Sequence, residues 1–283
     1  MKTLRLLTLL LLPIEVLAAI TVVYPKTEVT DDLRQKYPIE LLSLALQQSG
    51  KDYRLQVNHN VSMQLRALKN MRLGRDIDVV WSGTSKEREL RLRPIRIPID
   101  KGLLGWRIPL IRANDVDRFG AINTLQDLQA LTAGQVHDWP DVDVLKANGL
   151  TVAKSASYTG LFKMLAAGRV DYFPRSVAEI WLEQQLHTGK ALVVDPHIML
   201  VYPSALYFFV NKENHELAHD IERGLETLIA SGEFDALFNR HHGDYLSRAR
   251  VAERKVFQLL NPQLPEQTPL DRKELWLPME PVE

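Results

Sequence analysis

The chain has 283 residues, 46% hydrophobic and 25% charged, values typical of one large globular domain or two modest ones. Lys plus Arg and Asp plus Glu both number 35, so the net charge provides no overall attraction to nucleic acid or to an acidic membrane surface. The sequence contains no cysteine, which excludes disulfides, thiolate nucleophiles, thiolate metal sites and a lipid-modified cysteine.

Residues 1–18 have the pattern of a secretory signal peptide. Lys2 and Arg5 form a positively charged start, an apolar run covers residues 6–12, and small residues around Ala18 suit a signal peptidase. We predict cleavage after Ala18 and a periplasmic mature protein that has neither a membrane-spanning helix nor a lipid anchor. A buried N-terminal helix is the alternative interpretation of the same apolar run.

Strand-like runs alternate with amphipathic helical stretches along most of the remaining chain. The predicted strands lie at 20–24, 53–57, 77–81, 133–136, 150–152, 170–173 and 192–194. The predicted helices lie at 39–48, 62–72 with Ser62 as its cap, 142–148, 158–167, 177–186, 215–231 and 234–240. This alternation predicts an α/β fold with mainly parallel sheets flanked by helices.

Two similar units far apart in the chain indicate two similar lobes. In each unit a glycine and an arginine end a helix, at Gly74-Arg75 and at Gly168-Arg169, and a strand follows. The strand-like runs at 102–111 and 205–210 bracket the second set of elements, so we interpret them as two crossover strands that join the lobes.

The domain prediction follows from this division. Residues 1–18 are the signal peptide, 19–108 the first part of lobe 1, 109–203 lobe 2, 204–258 the return to lobe 1, and 259–283 a Pro-rich tail. We expect Leu275, Trp276 and Leu277 to anchor the tail, which is too poor in regular pattern to form a domain.

Residues 78–88 read Asp-Val-Val-Trp-Ser-Gly-Thr-Ser-Lys-Glu-Arg and, together with residues 168–171 and 211–217, resemble the amino-acid-binding branch of type II periplasmic solute-binding proteins. The resemblance covers about residues 19–245. It implies a two-lobed fold and a monomer that captures a small polar ligand, anionic or amino-acid-like, by closing the lobes. The implied partner is the permease of an ABC importer or a membrane sensor, and no cofactor is implied.

The resemblance places Arg88 on the carboxylate of the ligand, with Ser82, Gly83 and Thr84 in the adjoining loop. The chemistry is reasonable, because a carboxylate removed from water needs hydrogen-bond donors at nearly every lone pair. Hydroxyls, backbone N–H groups and a forked guanidinium supply such donors. The alternative is that Arg88 belongs to the solvated charge run at residues 86–93.

Position in the resembled family suggests further residues that line the site. Tyr24 ends the first strand, where the family often sets an aromatic side chain under the ligand. Trp81 and Trp139 are candidates for the walls, and His137 begins a loop that is expected to offer donors. A packing role in the core or hinge is the alternative for each aromatic residue.

The second lobe departs from the family pattern. Amino-acid binders carry an acidic residue five positions after Asp171, where it accepts the ammonium group, but this chain has Ser176 there, preceded by Arg175. We therefore include Arg175 and Ser176 among the candidate ligand-binding residues and favour a simple or double anion over a zwitterion. Further basic residues nearby in sequence are Arg91, Arg93, Arg96 and Arg107.

Two other patterns suggest different chemistry. His215-Glu216-Leu217-Ala218-His219 spells the helix motif of zinc hydrolases, but polar residues surround it, and we interpret it as a solvated helix face without metal. The adjacent His241 and His242 are likewise interpreted as surface residues.

An enzyme on the same scaffold is the second class of function. A few relatives of this fold resemble dehydratases that use a carboxylate in the cleft as acid or base, and Glu87, Asp100 or Asp138 would fill that role here. The sequence contains no convergent acid–base pair, so we assign no catalytic residue and favour binding.

Overall fold

The computed structural model of the protein describes residues 19–26, 33–61 and 64–278, and all structural statements below concern these residues. The predicted signal peptide and Ser62, the predicted helix cap, lie outside them. No helix in these ranges is both long and apolar enough to cross a membrane.

The strands form three hydrogen-bonded groups that belong to two lobes. The strands are β1 (Ile20–Lys26), β2 (Tyr53–Val61), β3 (Val79–Gly83), β4 (Arg93–Ile95), β5 (Trp106–Arg112), β6 (Thr132–Val136), β7 (Thr151–Ser155), β8 (Tyr172–Ser176), β9 (Leu192–Val194), β10 (Ile198–Val201), β11 (Leu206–Val210) and β12 (Lys255–Gln258).

Helices separate most of the strands and cover the sheets. The helices are α1 (Lys36–Gln47), α2 (Gln64–Arg72), α3 (Lys86–Arg91), α4 (Val116–Gly120), α5 (Leu125–Gln129), α6 (Asp141–Ala147), α7 (Tyr158–Ala166), α8 (Ile180–Leu186), α9 (His215–Ser231) and α10 (Glu233–Ala249).

Lobe 1 contains β1, β2, β3, β4 and β11. Strands β1 and β2 are parallel, and β11 lies antiparallel between β3 and β4. Asp78 joins the two groups, because its backbone N–H donates to the Val23 carbonyl at 2.8 Å and its carboxylate accepts the Val23 N–H at 2.8 Å. Helices α1 and α9 pack closely on this lobe, where a side chain at Gly224 would collide with the Ala45 carbonyl.

Lobe 2 is built around a sheet with the order β12-β10-β5-β8-β6-β7, in which β9 also pairs with β5. Strands β6, β7 and β8 are parallel, whereas β5 runs antiparallel to β8, β9 and β10. The sheets are therefore more mixed than the alternation alone suggests, since the crossover strands β5 and β11 run against their neighbours. A core of buried aliphatic and aromatic side chains lies on both faces.

Two helices differ from the predicted boundaries for identifiable reasons. Helix α1 starts at Lys36 and includes Pro38 in its first turn, a place where the missing N–H of proline costs no helical hydrogen bond. Helix α10 continues to Ala249, because Tyr245 and Leu246 extend its packing against the core.

The two segments that connect the lobes pass each other in direct backbone contact. The Tyr202 N–H donates to the Gly105 carbonyl at 3.1 Å, and a Cβ atom at Gly105 would lie 2.0 Å from the Tyr202 carbonyl oxygen. Only glycine fits at this position. The first connection also contains Lys101 and Gly102 with φ of 51° and 79°, which form a tight turn.

The C-terminal segment packs along the molecule. Strand β12 pairs in parallel with β10, and Leu275 is fully buried, with Trp276 and Leu277 packed against the same core. The residue boundaries between the lobes stay a prediction.

Candidate ligand-binding site

A cavity of about 600 Å³ lies between the lobes, within the size range of small-molecule sites. Both lobes contribute to its wall. The candidates that line it are Trp81, Gly83, Thr84, Arg88, His137, Trp139, Arg175 and Ser176. Tyr24 and Ser82 lie behind this wall. The Tyr24 ring packs 5.8 Å from the Trp81 ring, and Ser82 is fully buried and contacts Arg88.

In lobe 1 the loop between β3 and α3 fixes Arg88. Its Nη1 donates to Ser82 Oγ at 2.7 Å and to the Gly83 carbonyl at 2.5 Å, while Nη2 lies 3.3 Å from Gln64 Oε1. Burial lowers the pKa of the guanidinium. Among the described residues no carboxylate forms an ion pair with Arg88, so the guanidinium retains donors for an external anion.

Thr84 lines the cavity, but its hydroxyl is already engaged. The hydroxyl donates to Glu89 Oε1 at 2.7 Å, and the backbone N–H of Thr84 donates to the Ala205 carbonyl at 2.8 Å. Glu89 also accepts two hydrogen bonds from Arg96, at 2.6 and 3.0 Å. Thr84 therefore contributes shape to the wall, and Arg96 is held outside the cavity.

In lobe 2 Arg175 is enclosed by carboxylates and aromatic rings. Its Nε and Nη2 donate to Glu183 at 2.6 and 2.7 Å, and Nη2 lies 2.9 Å from Glu179 Oε2. The guanidinium also stacks on the rings of Trp139 and Phe173, at 4.7 and 4.9 Å. Burial alone lowers the pKa of Arg175, and the two carboxylates reverse this effect and raise that pKa above its ordinary value.

Glu183 connects this group to lobe 1. It is fully buried, and its Oε1 accepts from Arg34 Nη1 at 2.8 Å and from the Tyr158 hydroxyl at 2.6 Å. Arg34 also donates to the Tyr158 hydroxyl at 3.0 Å. Burial alone raises the pKa of Glu183, but the Arg175 charge outweighs it and lowers that pKa. Arg34 comes from the short turn before α1, so this contact crosses the cleft.

Arg107, also fully buried, has its own carboxylate partners. Its Nη2 lies 2.6 Å from Asp141 Oδ1, its Nη1 lies 3.6 Å from Glu179 Oε2, and its Nε donates to the Tyr202 hydroxyl at 3.1 Å. The basic residues Arg34, Arg107 and Arg175 are thus matched by the acidic residues Asp141, Glu179 and Glu183.

Arg175 and the further basic residues named from the sequence are therefore held by partners within the protein. Arg91 pairs with Glu87 at 3.1 Å, and Arg93 Nε donates to the Lys212 carbonyl at 2.9 Å. Of the four further arginines named from the sequence, Arg107 alone is among the cavity-lining residues described. The local sequence reveals only part of this balance, because the carboxylates that pair with Arg34 and Arg107 are distant in the chain.

Ser176 does not present its hydroxyl to the cavity. The hydroxyl donates to the Leu103 carbonyl at 3.0 Å and accepts the Ala178 N–H at 3.3 Å. It thereby ties β8 to the first connecting segment. His137 stays near the surface, with Nδ1 3.4 Å from the Ser155 carbonyl, and the neighbouring Asp138 lines the cavity.

Sequence reasoning missed Arg34, Asp141 and Glu179 as cavity residues. A signal existed for Glu179, since it follows Arg175 by four positions and pairs with it across one turn. No local signal existed for Arg34, whose partner Glu183 lies 149 residues away in the chain.

The interpretation of His242 as a surface residue was wrong. The residue is 8% exposed and packs between Tyr37, at 4.6 Å between ring centres, and Phe238, at 4.9 Å. Neither ring nitrogen has a hydrogen-bond partner among the described residues, and burial lowers the pKa of His242 to about 4. Phe234, Phe238 and His242 are spaced by four, which places them on one helix face and could have revealed the burial.

The zinc-hydrolase motif lies on the exposed start of α9. Glu216 pairs with Lys51 Nζ at 2.7 Å, and His215 Nε2 lies 3.4 Å from Arg93 Nη2. Within the described ranges no group of three or more His, Cys, Asp or Glu side chains is placed to hold a metal ion.

Two lobes with a cavity between them, joined by two adjacent segments, define the type II fold of periplasmic binding proteins, and solved structures confirm this predicted fold. A Salmonella typhimurium periplasmic binding protein described as having high arginine specificity matches with TM-score 0.58 and 18% identity, over 79% of this chain and 100% of the other. The probable amino-acid ABC transporter extracellular-binding protein ytmK from Bacillus subtilis matches with TM-score 0.59 and 20% identity, over 80% and 100%.

The Bordetella pertussis BvgS VFT2 domain, as a double mutant, matches with TM-score 0.59 and 16% identity, over 78% of this chain and 93% of that domain. No protein-family model matches the sequence, and no curated protein matches it. At these identities the likenesses establish the fold, and the function has to be argued from the site.

Proposed function

We propose that the chain is a periplasmic solute-binding protein that captures a small polar, amino-acid-like ligand between its lobes as a monomer. It would deliver this ligand to an ABC importer or present it to a membrane sensor. The observation that carries the proposal is Arg88, which faces the cavity and is held by neutral oxygens of its own loop. A guanidinium in this state is suited to bind a carboxylate.

The charge balance of the remaining wall supports a ligand with little net charge. Arg34, Arg107 and Arg175 are already compensated by carboxylates within the protein, so a second anionic group would gain little from these three cations. Asp138 and Glu179 also line the cavity and offer carboxylate oxygens to a donor on the ligand. A zwitterion therefore suits the cavity at least as well as the anion favoured by the sequence.

The structural neighbours support the same class of function. They are described as an arginine-binding protein, a periplasmic binding protein of high arginine specificity and a probable amino-acid ABC transporter extracellular-binding protein. The charge balance of the whole chain agrees with a partner that is not nucleic acid.

Native mass spectrometry of the purified protein, followed by calorimetry with a panel of α-amino acids and of mono- and dicarboxylates, tests the proposal. We expect at least one compound bearing a carboxylate to bind with a stoichiometry of one. The proposal fails if no member of the panel binds, or if the binding of the best ligand is unchanged by Arg88→Ala.

One observation favours the second class, an enzyme on the same scaffold. Asp100 lines the cavity, and burial raises the pKa of this carboxyl to about 7. However, its oxygens accept the backbone N–H groups of Gly102 and Leu104, at 3.2 and 2.6 Å, in the turn that connects the lobes. Turnover of the bound compound that Asp100→Asn abolishes would favour the enzyme.

A further inference from the structure

The C-terminal segment from Leu259 to Pro278, here called the strap, contacts both lobes and both connecting segments. In lobe 2, Asn148 Nδ2 donates to the Leu260 carbonyl at 2.8 Å and Asn148 Oδ1 accepts the Leu260 N–H at 3.0 Å. Asn261 lines the cavity, and its Nδ2 donates to the carbonyl of Pro203 in the second connecting segment at 2.8 Å.

Gln263 of the strap bridges the lobes directly. Its carbonyl accepts the N–H of Lys86 in lobe 1 at 3.1 Å, and its Nε2 donates to Asp143 Oδ2 in lobe 2 at 2.8 Å. Lys86 is the first residue of α3, the helix that carries Arg88. Asp143 lies in the first turn of α6, which follows the loop carrying Trp139. One residue thus joins an element of lobe 1 and an element of lobe 2 that each bring side chains to the cavity.

The end of the strap is firmly held. Arg272 forms two hydrogen bonds to Glu226 on α9, at 2.5 and 2.9 Å, and the Leu277 N–H donates to the Lys101 carbonyl at 2.9 Å. Trp276 covers Gly102 so closely that a Cβ atom there would lie 2.6 Å from its ring. Because the strap is also fixed at Leu260, Gln263 is held between two anchored ends.

We propose that Gln263 is a positioning residue of the ligand site, which sets the separation between the start of α3 and helix α6. Its effect on ligand binding rests on the proposed function, but the separation itself exists without a ligand. Gln263 contributes only neutral groups to the bridge, a side-chain amide and a backbone carbonyl. A negative charge introduced at this position would repel Asp143 and should increase the separation between α3 and α6.

A charge-swap experiment tests this bridge. Gln263→Glu places a carboxylate against Asp143, and the double variant Gln263→Glu with Asp143→Asn restores one donor and one acceptor in reversed order. Because the chain has no cysteine, Leu73→Cys and Leu186→Cys give unique spin-label sites on exposed positions of lobe 1 and lobe 2. Pulsed dipolar spectroscopy then measures the separation of the lobes in the ligand-free protein.

We expect Gln263→Glu to broaden the distance distribution or shift it to longer values, and the double variant to restore it. Urea unfolding midpoints should stay the same, since the pair lies at the surface. An unchanged distribution in Gln263→Glu, or a change that the double variant fails to reverse, overturns the proposal. These distances are measured without ligand, so they remain decisive even if the ligand screen fails.

The backbone half of the bridge has a separate test. Lys86→Pro removes the donated N–H, and proline is tolerated at the first position of a helix, after the extended Ser85. Lys86→Ala keeps the N–H and is the matched control. We expect Lys86→Pro to weaken the calorimetric affinity for the amino acid or carboxylate found in the screen by about two- to fivefold, with Lys86→Ala unchanged. Equal affinities in the two variants contradict the positioning role.

Discussion

The two walls of the cavity use arginine in opposite ways. In lobe 1, Arg88 is held by a serine hydroxyl and a backbone carbonyl, which leaves its positive charge uncompensated by the protein. In lobe 2, Arg175 is held by Glu179 and Glu183 and enclosed by aromatic rings. A guanidinium beside a cleft is therefore informative about the ligand only after the neighbouring carboxylates have been counted.

The difference has a physical basis in the cost of burial. A buried charge without a partner costs several kcal/mol, so the fully buried Arg175 requires carboxylates within the protein. Arg88 is half-buried at the cavity wall and can complete its hydrogen bonds with a ligand or water. We accordingly expect stability effects from lobe 2 substitutions and affinity effects from lobe 1 substitutions.

The largest effect is expected for Glu183→Gln, which removes the shared partner of Arg175 and Arg34. The variant should lose about 3 kcal/mol in the free energy of unfolding, because it leaves buried guanidiniums undercompensated. Urea denaturation at pH 7 measures this loss. A loss below about 1 kcal/mol would show that Glu179 alone compensates the group, and the contrast between the walls would disappear.

Arg88→Ala should weaken ligand affinity about 100-fold, because it removes the charge-assisted hydrogen bonds to the carboxylate. Its unfolding midpoint should remain close to that of the unmodified protein. Arg91→Ala is the matched control on the same helix, since Arg91 is exposed and pairs with Glu87. Calorimetry with the best ligand from the panel compares the three proteins, and equal affinities would remove Arg88 from the site.

His242 is a second buried basic group, and unlike Arg175 it has no carboxylate partner among the described residues, so its effect on stability depends on pH. Its pKa is about 4 in the folded protein, against 6.5 for an unperturbed histidine. Below pH 6.5 the unfolded chain therefore binds a proton that the folded protein does not, so this residue lowers stability as the pH falls from 6.5 to 4. The cost at pH 5 is about 2 kcal/mol.

His242→Leu should abolish this part of the acid sensitivity, because the substitution breaks no described hydrogen bond of the ring. Unfolding free energies at pH 5 and pH 8 measure the change. The difference between the two pH values should be smaller in the variant than in the unmodified protein by about 2 kcal/mol. If the free energy of unfolding changes equally between pH 8 and pH 5 in both proteins, His242 is protonated at pH 5 in the folded protein as well as in the unfolded chain.

The smallest effect is expected outside the cavity, at the zinc-hydrolase motif. His219→Ala should change the unfolding free energy by less than about 0.5 kcal/mol and leave ligand affinity unchanged. Elemental analysis should find no stoichiometric zinc in the purified protein. A zinc content near one per chain that His219→Ala removes would contradict this expectation.

Most of the fold was predictable because local signals mark it. Glycine, serine and aspartate at the turns mark the order of the predicted strands and helices, whose starts lie within a few residues of those observed. The end of α10 is the exception, because this helix continues from its predicted end at residue 240 to Ala249. The misplaced start of α1 shows the limit of such signals, since Pro38 is as compatible with a first turn as with a boundary.

Less of the site could be read from the sequence. The loop around Arg88 is contiguous, so its hydrogen bonds are local and follow from the motif. The environment of Arg175 depends on Glu183, Tyr158 and Arg34, which only the folded chain brings together. Charge compensation across such separations is a tertiary property, and residue composition cannot show it.

The contact between Gly105 and Tyr202 has a mechanical consequence. Because the two connections touch through their backbones and share a hydrogen bond, they cannot slide independently. Sliding of one connection past the other would break this hydrogen bond, so the contact favours rotation of the halves about it over translation. Entry and exit of any guest would then depend on this pivot, and Gly105→Ala should perturb the rotation from the edge of the cavity, which Leu104 and Tyr202 line.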